Sequence, residues 1–137
     1  MSETVEVKTC ELEGPALDWA VAKASRLELT SIKFGSGVWV KGLLPPGIMP
    51  NATRWEPSNN WAQAGPLIEK FHIQTSYNGN GFSRSPTREY WCAYVCEDSG
   101  QELRPSGGGP TAIIAACRAI VTASLGETVS VPAELIK

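Results

Sequence analysis

Histidine is nearly missing from this 137-residue chain: His72 stands alone. Aspartate occurs only at Asp18 and Asp98, and the glutamates are scattered rather than paired. These shortages leave no Ser–His–Asp or Cys–His arrangement with a recognisable signature, and no acidic cluster for a magnesium ion. The four cysteines include no C-x-x-C pair, so with a single histidine the usual zinc patterns are absent. Cys92 and Cys96 fall four apart in a segment that reads as a strand, placing their Cα atoms about 13 Å apart, beyond disulfide reach. The expectation is four buried, reduced thiols. No excess of basic charge exists either. Twelve Lys and Arg against fourteen Asp and Glu give a net charge of −2, which excludes the broad footprint of a duplex-nucleic-acid binder. No apolar run approaches the roughly 18 residues of a membrane span, and the acidic Met1–Lys8 segment does not read as a signal peptide. A reducing, cytosolic setting, with no membrane partner, is the expectation.

What is present fits one domain over residues 1–137, with 42% apolar and 19% charged residues. Residues 3–9 alternate as a first strand, with Val5, Val7 and Thr9 on one side. Gly14 and Pro15 open a helix whose face Ala16, Leu17, Ala20, Val21 and Ala24 carries through about residue 25. Leu27–Lys33 and Gly37–Lys41 read as short strands, the second with Val38 and Val40 opposite Trp39. Residues 42–58, rich in proline and glycine, read as an irregular loop that packs down as a wall or lid. Ser58 is placed as the N-cap of a second helix bearing Trp61, Ala64, Ile68 and Phe71, with Pro66 kinking or restarting it. His72–Tyr77 and Arg88–Glu97 read as strands joined by a mobile hairpin loop at 78–87, the second strand central because both faces are apolar. Gln101–Gly109 reads as a glycine-rich connection. Pro110 then starts a third, most buried helix ending at Leu125 and Gly126, and Thr128–Val131 adds an edge strand. The expected class is α+β, a mainly antiparallel sheet packed on about three helices.

Candidate binding residues follow from residue chemistry. Gly107–Gly109, Pro110 and Thr111 precede a helix whose free N–H groups would suit an anion, with Gly108, Gly109 and Thr111 nearest to it. A flexible connection ending in a proline-started helix is the plainer reading. Arg54 and Trp55 can grip a phosphate and stack on a flat ring. Trp61 can stack likewise, or lie in the core on the apolar face of its helix. Arg84, beside Phe82 in the 78–87 loop, can close over an anion or sit on a solvated hairpin tip. Arg118, inside the buried helix, must pair with a carboxylate or reach a ligand.

Three segments together are more specific. They are Glu11-Leu12 with Gly14-Pro15-Ala16-Leu17-Asp18-Trp19-Ala20-Val21-Ala22; Trp55-Glu56-Pro57-Ser58-Asn59-Asn60-Trp61-Ala62-Gln63-Ala64-Gly65-Pro66; and Trp91-Cys92-Ala93 with Gly109-Pro110-Thr111 running to Cys117-Arg118. In these the chain resembles the NinX-like family of small proteins of tailed bacteriophages and prophages, over nearly its whole length. Cys117 stands where the family more often has a larger apolar residue. The resemblance implies a phage accessory protein without an assigned catalytic activity or cofactor. It singles out Asp18 and Gln63 as polar members of apolar motifs, expected near one cleft with Arg118. The function expected on these grounds is binding of a small nucleotide-type ligand, sequestering a host immune signal without catalysis, in a homo-oligomer. A protein-binding inhibitor built on Trp39, Trp55 and the proline loop, or a nucleotide-modifying enzyme using Asp18 or Glu69 as base, are the alternatives.

Overall fold

The computed structural model describes residues 3–29, 37–49, 52–77, 91–95 and 105–136. Among the described residues, seven strands and three helices follow one another as β1 (Thr4–Lys8), α1 (Gly14–Ala24), β2 (Val38–Lys41), β3 (Ala52–Trp55), α2 (Trp61–Lys70), β4 (Ile73–Tyr77), β5 (Trp91–Val95), β6 (Pro105–Gly109), α3 (Ala112–Leu125) and β7 (Thr128–Pro132). The class is α+β, as the sequence pattern implies. All pairing is antiparallel but divided among three small sheets, β1-β7, β2-β3 and β4-β5-β6.

The central position of β5 matches its two apolar faces. The strand at 105–109 was not expected, because glycine favours neither strand nor helix. Its reason lies in α3. A Cβ on Gly107 would sit 2.5 Å from the Ala119 nitrogen and 2.6 Å from the Ala115 carbonyl oxygen, and one on Gly109 would meet the Ile114 side chain at 2.7 Å. Backbone lies directly against backbone here, so the glycines of β6 and the alanines of α3 are one packing device. This accounts for Gly107 and Gly109 without a ligand. Ala115, Ala116, Ala119, Ile120 and Val121 of α3 join Leu17, Ala20 and Val21 of α1 in the core.

Other local expectations need correction. The 42–58 stretch is not wholly irregular, because β3 pairs with β2 in the register Val38–Trp55 to Lys41–Ala52. Of the strand expected at 27–33, Leu29 bridges Val40 and residues 30–33 lie outside the described part. The second helix is capped by Asn60, whose Oδ1 accepts from the Ala62 N–H at 2.9 Å, rather than by Ser58. A turn closed by the Asn59 N–H on the Glu56 carbonyl delays the helix and frees Ser58 for another partner. Pro66 does not restart the helix, since α2 runs unbroken to Lys70 with Pro66 inside it. Thr111 caps α3 through its Oγ1, with Pro110 one residue earlier. Cys117 is buried and reduced as expected, but Cys92 is half-buried and Cys10 is exposed; Cys96 lies outside the described residues. Among the described residues no helix is long and apolar enough to cross a membrane.

Candidate functional site

The larger cleft, about 770 Å³, opens where all three helices begin: it is lined by Gly14, Pro15 and Ala16 of α1, by Ser58 and Asn59 of the turn into α2, and by Ile114 of α3. Asp18, one turn further along α1, lines it too and is only 5% exposed. The Ser58 N–H donates to Asp18 Oδ1 at 2.9 Å, and the Ser58 hydroxyl also bonds the carboxyl. Those bonds favour the charged form, and so does nearby Arg54. Burial outweighs them, with help from the charge on Glu56, and Asp18 is pushed up to about 6. A carboxylate buried without a matched cation is destabilising, and such groups concentrate at functional sites.

The same cleft carries Trp55 and Arg54. Trp55 is 5% exposed, and its Nε1 is a buried donor without a hydrogen-bond partner. Arg54 is half-exposed and lies 3.7 Å from Glu56 through Nε. Three glutamates, Glu11, Glu13 and Glu56, complete the charged lining. These carboxylates face the positive ends of the helices, where negative charge is favoured.

Gln63 and Arg118 act on the cleft indirectly. The Gln63 Nε2 donates to the Arg54 carbonyl at 2.8 Å, and its Oε1 accepts from the Glu56 N–H at 2.7 Å. The side chain therefore pairs with the backbone on both sides of Trp55, as a neighbouring strand would. Arg118 is buried and donates from Nε to the Leu12 carbonyl at 2.9 Å and from Nη1 to the Gly108 carbonyl at 2.8 Å. Neither of the partners expected for it, a carboxylate or a ligand, is needed to satisfy these donors. Asp18 binds the segment after β3, Gln63 binds its other side, and Arg118 fixes Leu12, itself on the cleft wall. All three polar motif residues thus hold backbone around one cleft, though only Asp18 lines it.

The remaining candidates lie elsewhere. Trp61 heads α2 and is 59% exposed, so the core reading fails; it does not line the cleft. Its apolar spacing was misleading: Ala64 in the same turn is buried and Trp61 is not. Gly108 and Gly109 lie in β6 against α3, and Thr111 spends its hydroxyl on the cap. Arg84 and the 78–87 loop are outside the described residues. Cys117 is not a reactive group: burial first, and then the Asp18 charge, push its thiol up to about 12. Sequence reasoning missed Glu11, Glu13, Glu56 and Ser58. Only folding brings Glu11 and Glu13 opposite Glu56, and the cap assignment hid the role of Ser58.

Among the described residues no group of three or more His, Cys, Asp or Glu side chains could hold a metal ion. No curated protein matches the chain. The family model described as "Bacteriophage P22, NinX" matches residues 8–124, a span from the end of β1 almost to the end of α3. That span contains every residue built into the cleft except Val7, Leu135 and Ile136. The chain belongs to the NinX family of bacteriophage P22.

Proposed function

We propose that this phage accessory protein binds a small nucleotide-type ligand in the Asp18 cleft and sequesters it without turnover, withholding a signal of host immunity. The observation that carries the reading is Asp18 itself, a carboxyl held near pKa 6 in the wall of a cleft rather than neutralised by a cation. A volume of about 770 Å³ is that of a small-molecule pocket. Ribose hydroxyls and exocyclic amines are donors that suit Asp18 and Glu56, and Arg54 offers the charged contact a phosphate would use. Four carboxyl groups against one guanidinium favour a ligand with few phosphates and many donors.

A second reading rests on a different observation. Leu43, Ile48 and Met49 in the loop between β2 and β3 are exposed apolar side chains, which suits a protein-binding inhibitor. Trp55 takes no part in that surface because it is buried.

Thermal unfolding against cyclic dinucleotides, cyclic trinucleotides and ADP-ribose derivatives, with each ligand recovered for mass analysis, separates the readings. At 100 times the dissociation constant a bound ligand adds about 2.7 kcal/mol of stability. A shift that Asp18→Asn or Arg54→Gln reduces, with the ligand recovered intact, supports sequestration in the cleft. An altered ligand makes Asp18 a general base, for which a pKa near 6 is suited. No shift across the panel overturns the small-ligand reading and turns the search to host proteins. Sedimentation of the unliganded and liganded protein tests the homo-oligomer.

A further inference from the structure

The opposite end of the helical layer holds a second pocket, of about 570 Å³, and its chemistry is reversed. Lys23, Arg26 and Lys70 line it together with Ser25 and Ser124, and no carboxylate side chain does so among the described residues. The three cations come from the ends of α1 and α2, and α3 closes the pocket with its own last turn. None of them is in an ion pair among the described residues. The ammonium of Lys23 lies 5.4 Å from the Trp19 ring centre and that of Lys70 lies 5.6 Å from the Phe71 ring centre, so each ammonium rests over an aromatic face.

Cations are favoured at helix C-termini for their own sake, which must be weighed. Here several of the last carbonyls already have backbone partners. The N–H groups of Ser25, Arg26 and Leu27 bond the carbonyls of Val21, Lys23 and Ala22; those of Phe71 and His72 bond Leu67 and Glu69; that of Gly126 bonds Thr122. Three helix ends amount to about −1.5 elementary charges in partial charge, against three full positive charges. The pocket keeps a positive excess. Ser25, itself 7% exposed, lines the pocket, and its Oγ has no hydrogen-bond partner.

We propose that this pocket is a second binding site, separate from the Asp18 cleft, for the phosphate group of a small phosphorylated molecule. Arg26 supplies the forked donor pair, and Lys23 and Lys70 supply charge from either side.

The test is a titration of the whole chain with pyrophosphate and with inorganic phosphate at constant ionic strength, read from backbone amide resonances. A saturable shift is expected at residues 23–27, 70–72 and 124–126, stronger for pyrophosphate. The Arg26→Gln/Lys70→Gln variant should weaken binding at least tenfold while the remaining resonances show an intact fold. Asp18→Asn should leave it unchanged, which keeps this result separate from any failure of the cleft reading. Unsaturable shifts spread over all surface lysines, or equal affinity in the variants, would overturn the proposal.

Discussion

The two ends of the three-helix layer differ in the sign of what lines them and in how that charge is held. Where the helices begin, Glu11, Glu13, Asp18 and Glu56 surround one arginine; where they end, Lys23, Arg26 and Lys70 meet no carboxylate among the described residues. Both arrangements oppose the helix dipoles, and dipole complementarity accounts for the sign at each end but not for the excess of positive charge over the helix-end partial charges. It does not explain the burial of Asp18, since a dipole is served equally well by an exposed residue in the first turn. Nor does it explain Arg26. The Arg26 and Leu27 N–H groups close α1 in the paired pattern that follows a left-handed residue, and Arg26 takes that conformation at φ 60°, where glycine is the unstrained choice. One end thus buries a carboxylate, and the other holds two non-glycine residues, Arg26 and His72, in the left-handed region, each at a cost in stability.

The comparison breaks most completely if the helical layer is lifted from its sheet. Gly107→Ala should destabilise the fold by about 3 kcal/mol or more, because the new methyl meets the Ala115 and Ala119 backbone rather than a flexible side chain. Denaturant unfolding checks this, and both pockets should lose binding together.

Asp18→Asn sharpens the difference in the opposite direction. A rise from 3.8 to about 6 corresponds to about 3 kcal/mol at neutral pH. Because the folded-state value lies above that of an unfolded aspartate, the native state holds this proton the more tightly. The Asp18 contribution is therefore most favourable below about pH 4 and is lost as pH rises towards 6. The asparagine variant should be more stable than the parent at pH 7, by up to that amount, and should lack the Asp18 part of the pH dependence. Urea midpoints between pH 3.5 and 7 measure both.

Gln63→Ala should cost about 2 kcal/mol, since it removes two hydrogen bonds and leaves the Arg54 carbonyl and Glu56 N–H to find water. Its effect on ligand affinity should be confined to the Asp18 cleft. The smallest effect is expected for Arg26→Gly, which should raise stability by about 1 kcal/mol through relief of the left-handed conformation. The same change should weaken pyrophosphate binding, so thermal unfolding and titration should move in opposite directions.

Much of the scaffold was legible because its signals are local. Pro15 near the start of α1, Gly126 at the end of α3 and the alternation of Val38, Trp39 and Val40 each point to one backbone answer. The failures came where a residue answers to something distant in sequence. The glycines of β6 read as a loop until α3 is laid upon them, and Ser58 reads as a cap until Asp18, forty residues earlier, takes its N–H. The candidate cleft was legible in part for the same reason. Asp18 stood out as a polar residue in an apolar motif, and Arg54 and Trp55 as ligand-binding types, but the glutamates around them are brought together only by folding. The cationic pocket was not read at all, although Lys23, Arg26 and Lys70 each sit at a recognisable helix end.

The central claim is that a carboxyl is kept buried in the cleft at a cost in stability. It is tested most directly by following the side-chain ¹³C resonance of Asp18 from pH 3 to 8 in the folded protein. A midpoint near 6 is expected, and any ligand whose hydrogen-bond donors meet the ionised carboxyl should lower it. A midpoint at or below 4 would mean a well-solvated, ordinary aspartate, and would contradict the account of this cleft as the functional site.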